Sequence, residues 1–154
     1  MFNMGQRTPN PVTPSEPKTP KMDPRLAAAN ALGEVVRQRL AADEGGSIST
    51  AQAARLIGVS KTTVLRRWSN HRLVAWKHGR SVRVPVWQFA GHKMLNGIEE
   101  TLQIFASNDQ WRVMRYFLGK RLSLRDRSPL DLLRVGEVAA VVAHAKAYAA
   151  DNTW

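Results

Sequence analysis

Apolar residues recur at helical spacing through most of the chain after residue 24 and switch to alternation once, near residues 73–84. The run from Arg25 to Ala42 is rich in helix formers, with Leu32, Val36 and Leu40 near one face. Pro24 suits its start and Asp43-Glu44-Gly45-Gly46 its stop. This helix can pack on the neighbouring domain or on its copy in a dimer, and the pattern does not choose. Ser49-Thr50 then offers a cap before AQAARLIGV, where Ala53, Ala54, Leu56 and Ile57 form the inward side of a short helix ending at Gly58. Ser60 caps a second helix, KTTVLRRWSN, in which Val64, Leu65 and Trp68 are spaced for burial. Lys61, Thr62, Thr63, Arg66, Arg67 and Asn70 are left on the outer faces. Two short capped helices separated by Gly58-Val59-Ser60 are a helix-turn-helix pattern.

After Arg72 the period becomes two. LVAWK and RSVRVP flank His78-Gly79, which predicts a β-hairpin turning at Gly79, with Lys77, His78, Arg80 and Ser81 at its tip. Farther on, Ser128 is a cap, Pro129 fits a first helical turn, and Leu130, Leu132 and Leu133 supply contacts for a small bundle. The predicted fold is mainly α: a winged helix-turn-helix with a small β-hairpin, followed by a C-terminal helical bundle. Four segments result: a proline-rich tail (1–24), an N-terminal helix and linker (25–46), the winged module (47–94) and a helical protein-interaction domain (95–154). Six of the eight prolines fall in the tail, which is expected to be extended or disordered.

Charge changes this picture by where it sits. Of the formal net charge of +11, residues 1–46 contribute six Lys and Arg against five acids, and residues 95–154 eight against seven. Residues 47–94 hold nine (Arg55, Lys61, Arg66, Arg67, Arg72, Lys77, Arg80, Arg83, Lys93) and no Asp or Glu. A solvated face normally mixes both signs, whereas a polyanion surface repels carboxylates and releases counterions to Lys and Arg. Double-stranded DNA is the partner this implies, with the second helix in the major groove and the hairpin along the backbone.

Other chemistry is thin. No cysteine is present, so disulfides and thiolate metal sites are excluded. His71, His78, His92 and His144 lack ligand spacing, no glycine-rich phosphate loop occurs, and Glu99-Glu100 reads as a pair favouring a helix start. No catalytic residue, metal or cofactor is expected. Trp68 and Trp111 read as core, Trp76 and Trp87 as packing around the hairpin, and Trp154 as a terminal residue available to a partner. No apolar run approaches the ~18 residues that cross a bilayer, and a cytoplasmic, nucleoid-associated protein is expected.

The stretch STAQAARLIGVSKTTVLRRWSNHRLVAWKHGRSVRVPVWQF resembles the winged helix-turn-helix of the excisionase and MerR-like DNA-binding families. The resemblance rests on Ala53, Leu56, Gly58, Val59, Ser60, Thr63, Val64, Arg67, Trp68, Leu73, Gly79, Arg80, Val84 and Pro85. It implies base contacts from Lys61, Thr62, Thr63 and Arg66 and a phosphate contact from Arg80; which of Arg66 and Arg67 faces a base stays open. Residues 111–148 more loosely resemble the toxin-binding domain of the Xre/MbcA/ParS antitoxins, through Trp111, Leu122, Leu124, Arg127, Pro129, Leu130, Leu132, Leu133, Glu137 and Val141. Arg125-Asp126 stands where that family commonly has glycine. This second resemblance implies a cognate toxin, with Arg127, Leu130 and Leu133 as partner-binding residues, to which the terminal Trp154 is added as a residue free to insert into a partner. The expected function is a sequence-specific transcriptional regulator, a homodimeric repressor that is also an antitoxin. The alternatives are an excisionase-like or architectural factor in recombination or packaging, and a protein adaptor that no longer binds DNA.

Overall fold

The computed structural model describes residues 23–152 together with Gly5. Nearly all of the proline-rich tail, and Trp154, lie outside the described residues. Two units are distinguished, Met1–Glu34 and Val35–Trp154. In the first, residues 24–34 are the opening turns of α1 (Pro24–Ala42), a helix that has no buried residue anywhere along its length. A 3-10 turn at Asp43–Gly45 ends it, with Glu44 in a left-handed conformation. No helix of the described residues is long and apolar enough to cross a membrane.

The second unit is built around two apolar clusters. β1 (Ser47–Ser49) leads into α2 (Thr50–Ile57) and α3 (Lys61–Ser69), followed by β2 (Trp76–His78) and β3 (Ser81–Pro85). Ser49 and Gln52 form a reciprocal cap at the start of α2, and Gly58, at φ 70°, closes it in the left-handed region that a side chain would strain. The strands form an antiparallel sheet of order β1-β3-β2, with Ile48 opposite Val84 and Lys77 opposite Val82. Ala53, Ala54, Val64, Leu73, Ala75 and Val84 are the buried core of this module, and Trp68 packs on it half-buried. Sequence periodicity gave the hairpin but not β1, which is too short to alternate. The expected strand LVAWK starts only at Trp76, because the Val74 N–H and C=O pair with the Gln88 side chain and Ala75 N donates to Gln110 Oε1 instead of joining a strand.

A 3-10 turn (Val86–Gln88) and a minimal hairpin of β4 (Phe89–Ala90) and β5 (Lys93–Met94) lead to four further helices: α4 (Ile98–Phe105), α5 (Gln110–Leu118), α6 (Pro129–Arg134) and α7 (Val138–Asp151). Glu99 and Glu100 occupy the first turn of α4, where carboxylates complement the helix dipole. Ser128 caps α6 in a reciprocal box with Asp131, and Pro129 opens the helix. The larger cluster joins Ile98, Leu102, Phe105, Val113, Met114, Tyr116, Phe117, Leu130, Leu133 and Val141 to Val74, Trp76 and Trp87 of the winged module. Trp76 and Trp87 therefore do more than line the hairpin: the Trp76 ring lies 5.3 Å from that of half-buried Trp111, tilted at 44°, and Trp87 lies 5.4 Å from Phe117. Each such pair adds about 0.5–1.5 kcal/mol beyond its buried area.

One buried amide ties these parts together. Gln88 is fully buried; its Oε1 accepts from Val74 N at 2.8 Å, and its Nε2 donates to Val74 O at 2.8 Å and Pro85 O at 3.0 Å. The side chain thus completes a two-bond pairing with a segment that has left regular structure. Replacing Gln88 with Leu would strand three buried backbone groups, so a loss of roughly 2–5 kcal/mol is expected, below a simple sum because the backbone relaxes. Denaturant titration checks this, a loss under about 1 kcal/mol arguing against the clamp.

His144 supplies a pH dependence. Its Nδ1 lies 2.9 Å from Tyr116 Oη and its Nε2 3.1 Å from Ser123 Oγ. Burial, and secondarily the Arg121 guanidinium, hold the imidazole below its ordinary pKa. The unfolded chain then binds the proton at higher pH than the folded one. The neutral ring's contribution is complete above about 6.5 and declines as pH falls through the depressed folded value. Thermal unfolding at pH 7 and pH 5 should show a loss on acidification that is smaller in His144→Gln; equal losses would remove His144 as its source.

Candidate nucleic-acid interface

The two capped helices set which side chains of α3 face out. Ser60, at φ −79° and ψ 159°, is the N-cap: its Oγ accepts from Thr63 N at 3.1 Å. Thr63 Oγ1 also lies 2.9 Å from Ser60 Oγ, so the Thr63 hydroxyl is engaged in the cap and its side chain is half-buried. Val64 is buried and Trp68, one turn later, half-buried, which fixes the inward face. Residues four apart share a strip of helix surface. Thr62, Arg66 and Asn70 form one exposed strip, whereas Thr63 and Arg67 form a half-covered one. The sequence left Arg66 and Arg67 undistinguished; burial separates them. Arg67 lines a separate cavity of about 370 Å³ with Ile57, Lys93, Glu99 and Glu100, so carboxylates share its surroundings.

Leu65 departs from the sequence reading. Expected in the core, it is 40% exposed. It stands one turn after Lys61 and shares that residue's outward strip, a position that the spacing Lys61–Leu65 already carried.

The hairpin stands beside this helix. His78 pairs with Ser81 across a two-residue turn in which Gly79 takes φ 61°, a conformation suited to glycine. Lys77, His78, Arg80 and Ser81 are all exposed at the tip. Arg83 is not part of the tip: its Nε donates to Ser47 Oγ at 3.1 Å and its guanidinium to Ser47 O at 2.8 Å, tying β3 to β1. One of the nine cations of the acid-free stretch is thereby spent inside the sheet.

Between helix and hairpin lies a groove of about 320 Å³ lined by Ser49, Thr50, Ala51, Lys61, Leu65, Arg80, Ser81 and Val82. Its walls are the start of α2, the first turns of α3 and the hairpin tip. A helix start carries outward-pointing amides and the positive end of the dipole, so this wall adds to the field of Lys61 and Arg80. Sequence reasoning placed Lys61, Arg80 and Ser81 at the site but missed Ser49, Thr50 and Ala51. The Ser49–Gln52 capping pair was the signal, since a capped start shows where a helix presents its amides. At the other end of α3, Gln103 Nε2 donates to Asn70 O at 2.8 Å and His71 O at 2.7 Å, holding the turn in which His71 has φ 55°.

The residues assigned to a protein partner fare differently. Arg127 is exposed, but Leu130 and Leu133 are 1% and 2% exposed and belong to the helical core. Their assignment to a partner surface is corrected: Pro129 and Ser128 start α6 so that its leucines point inward, where they fill the bundle.

Residues 48–90 match the family model described as a helix-turn-helix domain. No curated protein matches the sequence. Among solved structures, the NMR structure of Rv2175c is similar in fold, with a TM-score of 0.58 at 21% identity over 70% of this chain and 83% of that one. A likeness over that share of the chain extends beyond the matched domain. Residues 48–90 are an excisionase-like helix-turn-helix domain, and the chain is a DNA-binding helix-turn-helix protein.

Proposed function

We propose that the protein is a sequence-specific transcriptional regulator, a cytoplasmic repressor that acts as a homodimer on an operator of two half-sites. The observation that carries this reading is the groove between α3 and the hairpin tip, flanked by the exposed Thr62–Arg66–Asn70 strip. Arg66 and Asn70 are suited to base edges, Arg by its bidentate fit to guanine and Asn by its fit to adenine. Lys61, Arg80 and the α2 amides are suited to phosphates, which set register without reading sequence. Thr63 is better placed to support the cap than to touch a base. The activity proposed is binding rather than catalysis, since the groove lining contains no carboxylate or imidazole. A pure adaptor would leave these exposed cations without a role.

Dimerisation is proposed through α1. Its 19 residues span about 28 Å, and Leu26, Leu32 and Val35 are 53%, 66% and 59% exposed. Only its last turn packs on the helical core, through half-buried Leu40 and Ala41, so the rest of α1 draws little stability from packing, and isolated helices of this length are marginal in water. Pairing two copies would cover the leucines and place two winged modules on one operator. The helical half is proposed as a protein-association module. A toxin encoded by an adjacent reading frame is one candidate partner, tested by co-purification after co-expression.

The two contact classes separate experimentally. Arg80→Ala should weaken binding to every duplex alike and reduce the slope of log affinity against log salt by about one. Arg66→Ala should instead change preference among sequences, by about 1–3 kcal/mol at the affected base pair. Measuring both by fluorescence anisotropy over a salt series and a panel of operator variants decides the matter. Identical behaviour would overturn the division of roles, and unaltered binding in both would overturn the interface. For the dimer, Leu32→Asp should shift sedimentation from two copies to one and abolish cooperative occupancy of paired half-sites; a wild-type chain that sediments as a monomer at micromolar concentration excludes the α1 pairing.

A further inference from the structure

The segment Lys120–Arg127, KRLSLRDR, carries four Lys and Arg against one acid, a balance of +3. Residues 95–154 as a whole balance at +1, so their remainder is −2 and the positive charge of this half is concentrated in one loop. The loop's base is fixed at two alternate residues. Arg121 lies over the rings of Tyr116 and Tyr148, 4.9 Å and 4.5 Å from their centroids. Ser123 Oγ meets His144 Nε2 at 3.1 Å. Leu122, between these two residues, is 91% exposed.

Backbone hydrogen bonds close the loop on itself. Arg121 N donates to Arg127 O at 3.1 Å, Arg125 N to Leu122 O at 3.0 Å, and Asp126 N to Arg121 O at 2.9 Å. Arg125 and Asp126 hold φ values of 56° and 59°, consecutive left-handed positions that a β-carbon disfavours. Such strain persists only where the surroundings over-determine the conformation. Lys120, Arg125 and Arg127 are exposed around Leu122.

A lone exposed leucine is ordinary on a protein surface. A leucine flanked by two tethered residues, in a loop closed by its own backbone hydrogen bonds, is different, because an anchor held in one conformation avoids part of the ordering cost of association. Its cationic surround selects the partner's chemistry. The exposed Leu122 points to a protein rather than to duplex DNA, whose phosphates meet cations but offer a leucine no apolar pocket.

We propose that the Lys120–Arg127 loop is a docking knob for an acidic protein partner, in which Leu122 enters an apolar pocket and Lys120, Arg125 and Arg127 meet carboxylates on its rim. The proposal rests on the association role given above to the helical half and is independent of DNA binding. It names the contact surface that the buried Leu130 and Leu133 cannot supply.

The test uses the full chain and peptide probes selected on it from a random phage-displayed library, resynthesised and measured in solution by anisotropy. Selected peptides should pair Asp or Glu with a central apolar residue and weaken with added salt. Leu122→Asp should reduce their affinity about 30-fold or more, as loss of an anchor residue does. The double variant Arg125→Gln/Arg127→Gln should reduce it about 10-fold, the scale of a partly exposed charge contact. Duplex affinity and the unfolding temperature should be unchanged in Leu122→Asp. An empty selection, peptides without acidic enrichment, or binding indifferent to Leu122→Asp overturns the proposal while leaving the groove of α3 untouched. Loss of duplex affinity in Leu122→Asp would instead assign the loop to DNA, and a change in sedimentation would assign it to a second copy of the chain; either result overturns the acidic partner.

Discussion

The pairing of Gln88 with the backbone of Val74 is the constraint on which the rest of the second unit depends. α3 ends at Ser69, and the chain must then reverse through His71, at φ 55°, before it can start β2 at Trp76. The crossing segment, Leu73–Ala75, is buried and outside regular structure, so its amides and carbonyls cannot be left to water. A side-chain amide carries a donor and an acceptor side by side, so it can pair with the C=O and N–H of one residue at once, and Gln88 does so while also holding Pro85 O. The consequence is geometric. Leu73 and Ala75 point into the core of the winged module and Val74 and Trp76 into the helical core, so one short segment positions the recognition helix and the hairpin against the same body.

This arrangement explains how the acid-free stretch is used. Nine cations at uniform exposure would make a diffuse positive surface. The fold sorts them: Arg83 is consumed between β1 and β3, Arg67 shares a cavity with Glu99 and Glu100, and Lys61, Arg66, Lys77 and Arg80 remain on the groove, the exposed strip and the hairpin tip. Affinity from phosphates scales with how many can be met at once, and specificity needs at least one rigidly aimed side chain. Capping by Ser60 and the Gln103 contacts at the far end of α3 restrain both termini of the helix that carries Arg66.

What was legible in the sequence was local. Ser49, Gly58, Ser60, Gly79 and Ser128 each act within three or four residues of themselves, so each is readable without any tertiary contact. The positions that misled depend on distant partners. Leu65 obeys helical spacing for burial, yet which of two adjacent strips faces the core is decided by α2, not by α3. Leu130 and Leu133 fit a partner surface as well as a core until α4, α5 and α7 are in place around them. Gln88 gave no signal, because a polar residue in a short loop reads as solvated unless the backbone opposite it is known. Composition located the site because exclusion of acids is a property of a whole surface, and surfaces survive in composition even when contacts do not.

The same logic separates two kinds of polar group in the helical half. Tyr116, His144 and Ser123 form a chain whose members satisfy one another, and burial raises the phenol's pKa well above its ordinary value, so it stays a neutral O–H. Arg121 is less complete: its guanidinium rests on two aromatic faces, but its Nε is buried without a hydrogen-bond partner among the described residues. A cation over a ring recovers part of its lost hydration, and an unpaired donor recovers none. Replacing Arg121 by an apolar residue would relieve that cost but release the base of the loop, since its side chain is what bridges α5 and α7 beneath Leu122. The half-buried cation therefore serves position more than stability, just as Arg83 does between β1 and β3. In both cases an arginine inside the fold sets the geometry from which other residues act on the surface.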